Sequence, residues 1–270
     1  MHFFDKELRR VYFAWLSAIN VITALILIFV TVPEKYKIGG GIAFVTALLV
    51  IYFGLWIHAN SIKHIILKIN NSKAEVKVGD IFEEEGLKVI AFNEYFDTLV
   101  NERVIASSSL NGQFIINHVD DIDELNKEIR ESNHLSSRKT EINLSRQEGN
   151  TQKYQLGSIH VHKNFLLAAF TKFDENNRAF LTMSDYINCL LNFWNEVDIV
   201  YANRSVAIPL LGTGITRVRG YDTMSEQEKL ELLLWTFKIS RIKFTYPAKV
   251  TVVIHESLQD KINFYRLKKI

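Results

Sequence analysis

Several features that would assign this chain to a familiar class are missing. A single cysteine, Cys189, excludes an internal disulfide and a cysteine-rich zinc site, and it suits a reducing compartment. The formal net charge is only +2 and the basic residues are scattered, so no global field recruits nucleic acid. Neither the phosphate loop of ATPases nor the glycine fingerprint of dinucleotide-binding folds is present. These absences argue against a nucleic-acid-binding protein and against an ATPase.

Two long segments carry no acidic residue, lysine or arginine, and they lie within the first 60 residues. They run from Val11 to Val32 and from Ile38 to Ala59. As a helix, each would span roughly 33 Å, enough to cross a hydrocarbon core of about 30 Å. A cleaved signal peptide fits poorly because the first run is too long and a second follows closely. A buried soluble hairpin fits poorly because neither run has a polar face. Residues 1–60 are therefore predicted to form a transmembrane hairpin.

The charges that flank the two segments predict the orientation of the hairpin. Two spans place both of their outer ends on one side of the membrane. Lys6, Arg9 and Arg10 precede the first span and Lys63 follows the second, which favours the cytoplasmic side. We therefore expect a protein of the inner (plasma) membrane whose soluble part is cytoplasmic. Asn20 is costly to expose to lipid, so it predicts contact with another helix and a homo-oligomer.

The rest of the chain alternates between strand and helix patterns. Residues 61–71 are predicted to extend the second span as a helical stalk, because their isoleucines have helical spacing. Residues 72–270 are predicted to form one domain. Its polar stretch from Glu131 to Lys153 has no periodicity and is predicted to be a loop.

Two helices of this domain are predicted from their N-terminal capping boxes. Thr182 is followed three residues later by Asp185, and Ser225 is followed likewise by Glu228. Short apolar strands lie between the helical segments, and Cys189 is predicted to lie on a buried helix face. The alternation predicts an α/β fold, a three-layer α/β/α domain with a mixed sheet.

Three loops that follow strands have residues suited to a nucleotide. The Gly212-Thr213-Gly214 turn can direct backbone N–H groups toward an anion, because glycine tolerates positive φ. The segment Ser107 to Gln113 offers hydroxyls and amides, and Asp80 offers a carboxylate to an exocyclic amine. Each loop alone also fits an ordinary chain reversal. Because ligands of open α/β sheets bind beyond the carboxyl ends of strands, the three loops together predict a nucleotide site.

The run from Ile208 to Ile215, together with Val78-Gly79-Asp80-Ile81 and the strand leading to Asn93, resembles the macro domain, a family that binds ADP-ribose. With two N-terminal spans, the whole chain resembles the membrane-anchored macro-domain effectors of the Thoeris anti-phage system. That resemblance implies a sensor of an ADP-ribose derivative, namely ADP-ribose conjugated to histidine, made by a TIR-domain enzyme. Binding is expected to trigger membrane damage and cell death. The resemblance implies no cofactor and no metal.

The resemblance also implies roles for residues at matching positions. Asp80 and Ile81 would meet the adenine, and Asn93 would lie near the distal ribose. Two segments would enclose the phosphates and distal ribose: Ser109, Leu110, Asn111, Gly112 and Gln113 on one side, and Gly212, Thr213, Gly214 and Ile215 on the other.

Three further residues are candidates for the same site, each with a structural alternative. Phe264 or Tyr265 would stack on the adenine, or would belong to the core. Arg217 would reach a phosphate or a carboxylate of the ligand, or would lie on a solvated face.

Departures from the family pattern favour a ligand-gated effector over an enzyme. Macro domains that remove ADP-ribose carry an asparagine-rich stretch where this chain has Phe92-Asn93-Glu94-Tyr95-Phe96-Asp97, and their glycine-rich loop is reduced here to Gly112. The enzymatic alternative is a membrane-anchored ADP-ribosyl hydrolase. Its acid–base candidates are Glu94, Asp97, His160 and His162. A membrane adaptor without a small ligand is the remaining alternative.

Overall fold

The computed structural model describes residues 3–213, 217–218 and 224–269, apart from the side chains of residues 217, 218 and 269. The chain divides into two compact units. One comprises the residues up to Lys63 together with Ile262–Lys269, and the other comprises His64–Lys261. We call them the helical unit and the α/β unit.

Two long helices, α1 (Lys6–Phe29) and α2 (Glu34–Ser61), dominate the helical unit. Asp5 caps α1 by accepting a hydrogen bond from the backbone N–H of Glu7. Both helices are long and apolar enough to cross a membrane, and none of their most apolar window is buried. Asn20 is exposed, so α2 does not supply the helix contact expected for it.

The α/β unit contains the remaining helices and all the described strands. The helices are α3 (Leu110–His118), α4 (Ile122–Glu131), α5 (Asn133–Ser136), α6 (Met183–Val200) and α7 (Glu226–Ser240). The strands are β1 (His64–Ile69), β2 (Ser72–Val78), β3 (Leu87–Asn93), β4 (Lys139–Ile142), β5 (Gln152–Tyr154), β6 (Ile159–His162), β7 (Phe165–Phe173), β8 (Ala179–Leu181), β9 (Val206–Pro209), β10 (Arg217–Val218) and β11 (Val250–Ile254).

One mixed sheet organises the unit, with strand order β1-β2-β11-β9-β3-β7-β8-β10 and with β6 paired to β7. The central pairs from β2 to β7 are parallel, whereas β1 pairs antiparallel to β2, and β6 and β8 pair antiparallel to β7. The last strand, β10, pairs parallel to β8. Parallel central strands are buried on both faces, which explains their nearly continuous apolar sequences.

Helices cover both faces of this sheet. On one face, Ile90 and Leu167 pack in a cluster with Phe114 of α3 and Leu125 of α4. On the other face, the Phe170 ring meets the Tyr186 ring of α6 at 5.7 Å. The predicted mixed α/β fold is confirmed, and its helices lie in two outer layers.

The predicted helical stalk is wrong, because residues 64–69 form strand β1. Ile65, Leu67 and Ile69 are buried alternately, which is the period of a strand. Asn70 and Asn71 both have positive φ, at 53° and 61°, and they close a two-residue hairpin to β2. The spacing of the isoleucines is compatible with both a helix and a strand. The Asn70-Asn71 turn is the sequence signal that favours the strand.

The polar stretch from Glu131 to Lys153 is not a plain loop either. It contains α5 and the two-stranded pair β4–β5. All four residues of β4 are exposed, so the sequence has no apolar alternation that would predict the strand. Ser107 to Gln113 also differs from the predicted loop, because α3 begins at Leu110 with Ser109 as its N-cap.

Both predicted capping boxes are confirmed. Thr182 accepts from the Asp185 backbone at the start of α6, and Ser225 accepts from the Glu228 backbone at the start of α7. Cys189 is fully buried on α6, as predicted, and burial raises the pKa of its thiol. A buried protonated thiol is an unreactive core residue.

Candidate functional site

A cleft of about 2030 Å³ opens at the carboxyl ends of the parallel strands. Asn93 at the end of β3, Pro209 at the end of β9 and Val253 near the end of β11 all line it. This is where open α/β sheets bind their ligands. The cleft therefore collects residues from strands that are far apart in the sequence.

Most of the predicted site residues line this one cleft. They are Asp80, Ile81, Asn93, Ser109, Leu110, Asn111, Gln113, Gly212 and Thr213. Gly214 and Ile215 lie outside the described residues. Arg217 has a described backbone, which pairs with Phe180 in the sheet, but its side chain lies outside the description.

At one end of the cleft, a short helical turn follows β2. The Asp80 carboxylate caps the turn, because its Oδ1 accepts from the backbone N–H of Phe82 at 2.9 Å. The side chain of Ile81 is buried, and it packs with Ala207 and Val253 of the sheet. Only the backbone of Ile81 is therefore available to a ligand.

The N-terminus of α3 forms one wall of the cleft. Ser109 caps it, with its Oγ accepting from the Gly112 backbone at 3.0 Å. Backbone N–H groups in the first turn of a helix lack a backbone acceptor within the helix, so those that Ser109 does not bind can meet an anion. Asn111 is 8% exposed, and its Oδ1 has no hydrogen-bond partner among the described residues. A buried, unpaired acceptor at the cleft wall calls for a donor from a ligand or water.

Gly112 does not line the cleft, in contrast to its predicted approach to phosphate. A Cβ at this position would overlap the carbonyl oxygen of Ala106. The glycine is therefore required for close backbone packing at the start of α3, and not for direct ligand contact.

The loop after β9 forms the opposite wall. Gly212 has a φ of +80°, and a Cβ there would lie 3.0 Å from Cε2 of Tyr186. The Tyr186 hydroxyl donates to the Leu211 carbonyl at 3.2 Å, and Thr213 Oγ1 donates to the Leu210 carbonyl at 2.9 Å. The turn is thus held in a conformation that favours glycine, as its sequence predicted.

A buried ion pair fixes the chain just beyond β3. The Asp97 carboxylate is fully buried, and it accepts from Arg146 Nη2 at 2.7 Å and from Arg146 Nη1 at 3.1 Å. It also accepts from the Asn93 amide at 2.9 Å and from the Asn150 backbone at 2.6 Å. The Asn93 Oδ1 in turn accepts from the Tyr95 backbone. Asn93 therefore reaches the cleft wall while its amide orders the turn.

The sequence prediction missed the far end of the cleft. Residues 143 and 145–148, which connect β4 to β5, line it together with residues 173–180. The Arg146 guanidinium lies 3.9 Å from the centroid of the Tyr95 ring and donates to Asn177 Oδ1 at 2.9 Å. One arginine thereby links both segments to the end of β3. No local sequence pattern predicts the ion pair between Arg146 and Asp97, which lie 49 residues apart.

Several predicted residues lie away from the cleft. Phe264 and Tyr265 both belong to the helical unit, and Phe264 is buried. Neither residue lines the cleft. His160 and His162 line a different cavity. Glu94 is buried beside β7, where the Phe173 backbone donates to it at 3.2 Å, and burial raises the pKa of this carboxyl.

A mixed sheet between helical layers, with its cleft at the carboxyl ends of parallel strands, is a macrodomain-like arrangement. The family model described as "Thoeris protein ThsA, Macro domain" matches residues 74–255. The Thoeris protein ThsA of Bacillus amyloliquefaciens (strain Y2) is 40% identical over 270 residues, which covers 98% of this chain and 90% of that protein. The chain therefore belongs to the ThsA family of Thoeris defence proteins.

Solved structures of the Oceanobacillus iheyensis macrodomain are more distant. The structure with ADP aligns over 77% of this chain and 98% of its own, with a TM-score of 0.46 and 16% identity. A mutant of the same macrodomain with ADPR covers 76% of this chain and 97% of its own, with a TM-score of 0.48 and 16% identity.

Proposed function

We propose that the α/β unit senses an ADP-ribose derivative and that the helical unit converts its binding into membrane damage. One observation carries the proposal: residues predicted separately from three loops line one cleft. The ligand is expected to be made by a TIR-domain partner enzyme, as in other Thoeris systems. The full chain would act as a homo-oligomer in the inner membrane.

In this proposal the nucleotide lies along the cleft from β2 toward the β4–β5 connection. The Asp80 carboxylate and the Ile81 backbone receive the adenine at one end. The diphosphate lies between the first turn of α3 and the turn at Gly212, both of which line the cleft. Asn111 Oδ1, which has no partner among the described residues, would accept from a ligand hydroxyl.

The size of the cleft supports a ligand larger than ADP-ribose. Small-molecule sites usually have about 300–1,000 Å³, whereas this cleft has about 2030 Å³. The segments that Arg146 holds in place line this cleft together with the predicted nucleotide residues. We propose that the amino-acid group of a histidine conjugate occupies this end.

The effector role requires that the ligand favours one arrangement of the protein over another. A shift from 1:99 to 99:1 needs about 5.5 kcal/mol of differential binding. Two phosphates, an adenine and an additional distal group supply enough contacts for that difference. The apolar α1 and α2 are proposed to be the elements that act on the bilayer.

The hydrolase alternative is less well supported. Asp97 already accepts from Arg146, Asn93 and Asn150, so its carboxylate is not available as a general base. Glu94 and His160 do not line the cleft. A sensor that binds without turnover is therefore the proposed role.

Calorimetry on the full-length protein in nanodiscs tests this proposal. We expect saturable binding of histidine–ADP-ribose, with weaker binding of ADP-ribose. Gly212→Val should weaken binding at least tenfold, because a branched side chain disfavours positive φ and would press on Tyr186. Gly40→Val is the matched control, because a Cβ there would meet nothing within 4 Å. Equal binding by both variants, or release of free ADP-ribose, would contradict the proposal.

A further inference from the structure

A second cavity, of about 490 Å³, lies in the α/β unit beside edge strand β6 and helix α4, and we call it the β6–α4 cavity. None of its lining residues lines the nucleotide cleft. Its charged and titratable lining consists of Asp120, Asp121, Glu124, Glu128, Glu131, His160, His162 and Lys163.

Among the residues that line the cavity, carboxylates outnumber lysines. Lys163 lines the cavity, and its Nζ lies 2.7 Å from Oδ2 of Asp120. Asp121 caps α4 by accepting from the Asp123 backbone. The carboxylates of Glu124 and Glu131 make no hydrogen bond or ion pair with any residue that the structure describes. Clustered carboxylates of this kind attract cations.

Two buried imidazoles face the same cavity with unused nitrogens. His160 and His162 are each 7% exposed. His162 Nδ1 lies 2.7 Å from Glu128 Oε2, and His160 Nε2 lies 3.6 Å from the same oxygen, beyond hydrogen-bond reach. The Nε2 atoms of both rings have no partner among the described residues. Burial lowers the pKa of His160, so its ring is neutral and can accept a hydrogen bond.

The arrangement suits an elongated organic cation better than a single ion. In the part of the chain that the structure describes, no three histidine, cysteine, aspartate or glutamate side chains are arranged to hold a metal ion. Glu124, Glu128 and Glu131 instead follow one another along α4 and span about 10 Å at about 1.5 Å per residue. Ammonium groups spaced along a chain would match that row of carboxylates.

We propose that the β6–α4 cavity binds a linear polyamine. Its ammonium groups would pair with Glu124 and Glu131 at the two ends, while Glu128 turns from the imidazoles toward the ligand. The N–H groups of the ligand would then reach His160 and His162, whose free nitrogens accept them. The proposal is independent of the nucleotide cleft.

Calorimetric titration of the full-length protein in nanodiscs of uncharged lipid, with spermidine as the probe, tests the proposal. We expect saturable binding to one site per chain that weakens as salt is raised. The double variant Glu124→Gln with Glu131→Gln should weaken binding by about tenfold, because two partly exposed ion pairs are lost. Glu85→Gln removes an exposed carboxylate outside both cavities and should bind like the parent protein.

Parallel titrations with Zn²⁺ and with a lysine-rich peptide distinguish other cationic ligands. Binding of either one without binding of spermidine would overturn the proposal. An equal loss in the Glu85→Gln control, or no saturation by spermidine, would also overturn it. A thermal unfolding midpoint equal to that of the parent protein would show that the double variant is folded, so that its loss of spermidine binding supports the proposal.

Discussion

The two units of this protein differ in where their apolar side chains lie. In the helical unit, large apolar side chains such as Trp15, Ile28 and Phe29 are exposed along the helices. In the α/β unit, comparable side chains fill clusters on both faces of a sheet, and polar groups such as Asp97 are buried with partners. Exposed apolar helices suit lipid, whereas buried, paired polar groups suit a water-soluble domain.

The comparison also shows where the two units are joined by the chain. His255 and Leu258 line the cleft at the carboxyl ends of the strands, and soon after Leu258 the chain enters the helical unit at Ile262. The other connection is the step from Lys63 to His64, which enters β1.

The largest effect is expected from breaking the buried ion pair of the α/β unit. Arg146→Ala leaves the Asp97 carboxylate buried without its cation, which typically costs about 3–5 kcal/mol. Hydrogen exchange measured by mass spectrometry should show faster opening of the α/β unit and no change in α1. Lys163→Ala, which removes an exposed partner of Asp120, should change stability by less than about 1 kcal/mol. Equal effects of the two variants would contradict the greater weight given to the buried ion pair, and faster exchange in α1 would contradict the distinction between the units.

Smaller effects are expected from replacing Asn111, where stability and ligand affinity should respond differently. Replacing it with leucine removes a buried, unpaired acceptor, so the stability should be unchanged or higher. The same change should weaken binding of the nucleotide by about tenfold if the amide meets the ligand. Thermal unfolding and calorimetry on one preparation measure both. A loss of stability without a loss of affinity would assign Asn111 to the core.

The proposed self-association of the helical unit can be tested at Asn20. Asn20→Leu removes the exposed amide, so it should weaken self-association in lipid by about 0.6–2 kcal/mol. Förster transfer between labelled copies in vesicles measures the change, and Ser17→Leu provides a second exposed polar position for comparison. Unchanged transfer in the Asn20 variant would show that this residue is not at a helix contact.

The smallest effect concerns the pH dependence of the α/β unit. Burial raises the folded-state pKa of Glu94, so its stabilising contribution is complete below the unfolded pKa and declines as pH rises through the folded value. Glu94→Gln should therefore be more stable than the parent protein at neutral pH and similar to it in acid. Urea unfolding at several pH values would reveal the crossover. A pH-independent difference would mean that the pKa of Glu94 is the same in the folded and unfolded states.

Local signals in the sequence predicted the features that depend on nearby residues. The spans follow from unbroken apolar runs, the helix starts from capping boxes, and the Gly212 turn from the need for positive φ. Features that depend on distant partners were not predictable in this way. Arg146 stabilises the far end of the cleft through Asp97, and the α3 wall depends on close packing of Gly112 against Ala106.

Hydrogen exchange of the full-length protein in nanodiscs, with and without histidine–ADP-ribose, tests the central claim most directly. We expect protection at residues 79–82, 109–113 and 209–213, together with altered exchange at the ends of α1 and α2. Saturating ligand that protects none of these cleft segments would contradict the proposed site. Protection of the cleft with no change in either helix would contradict the proposed link to the membrane.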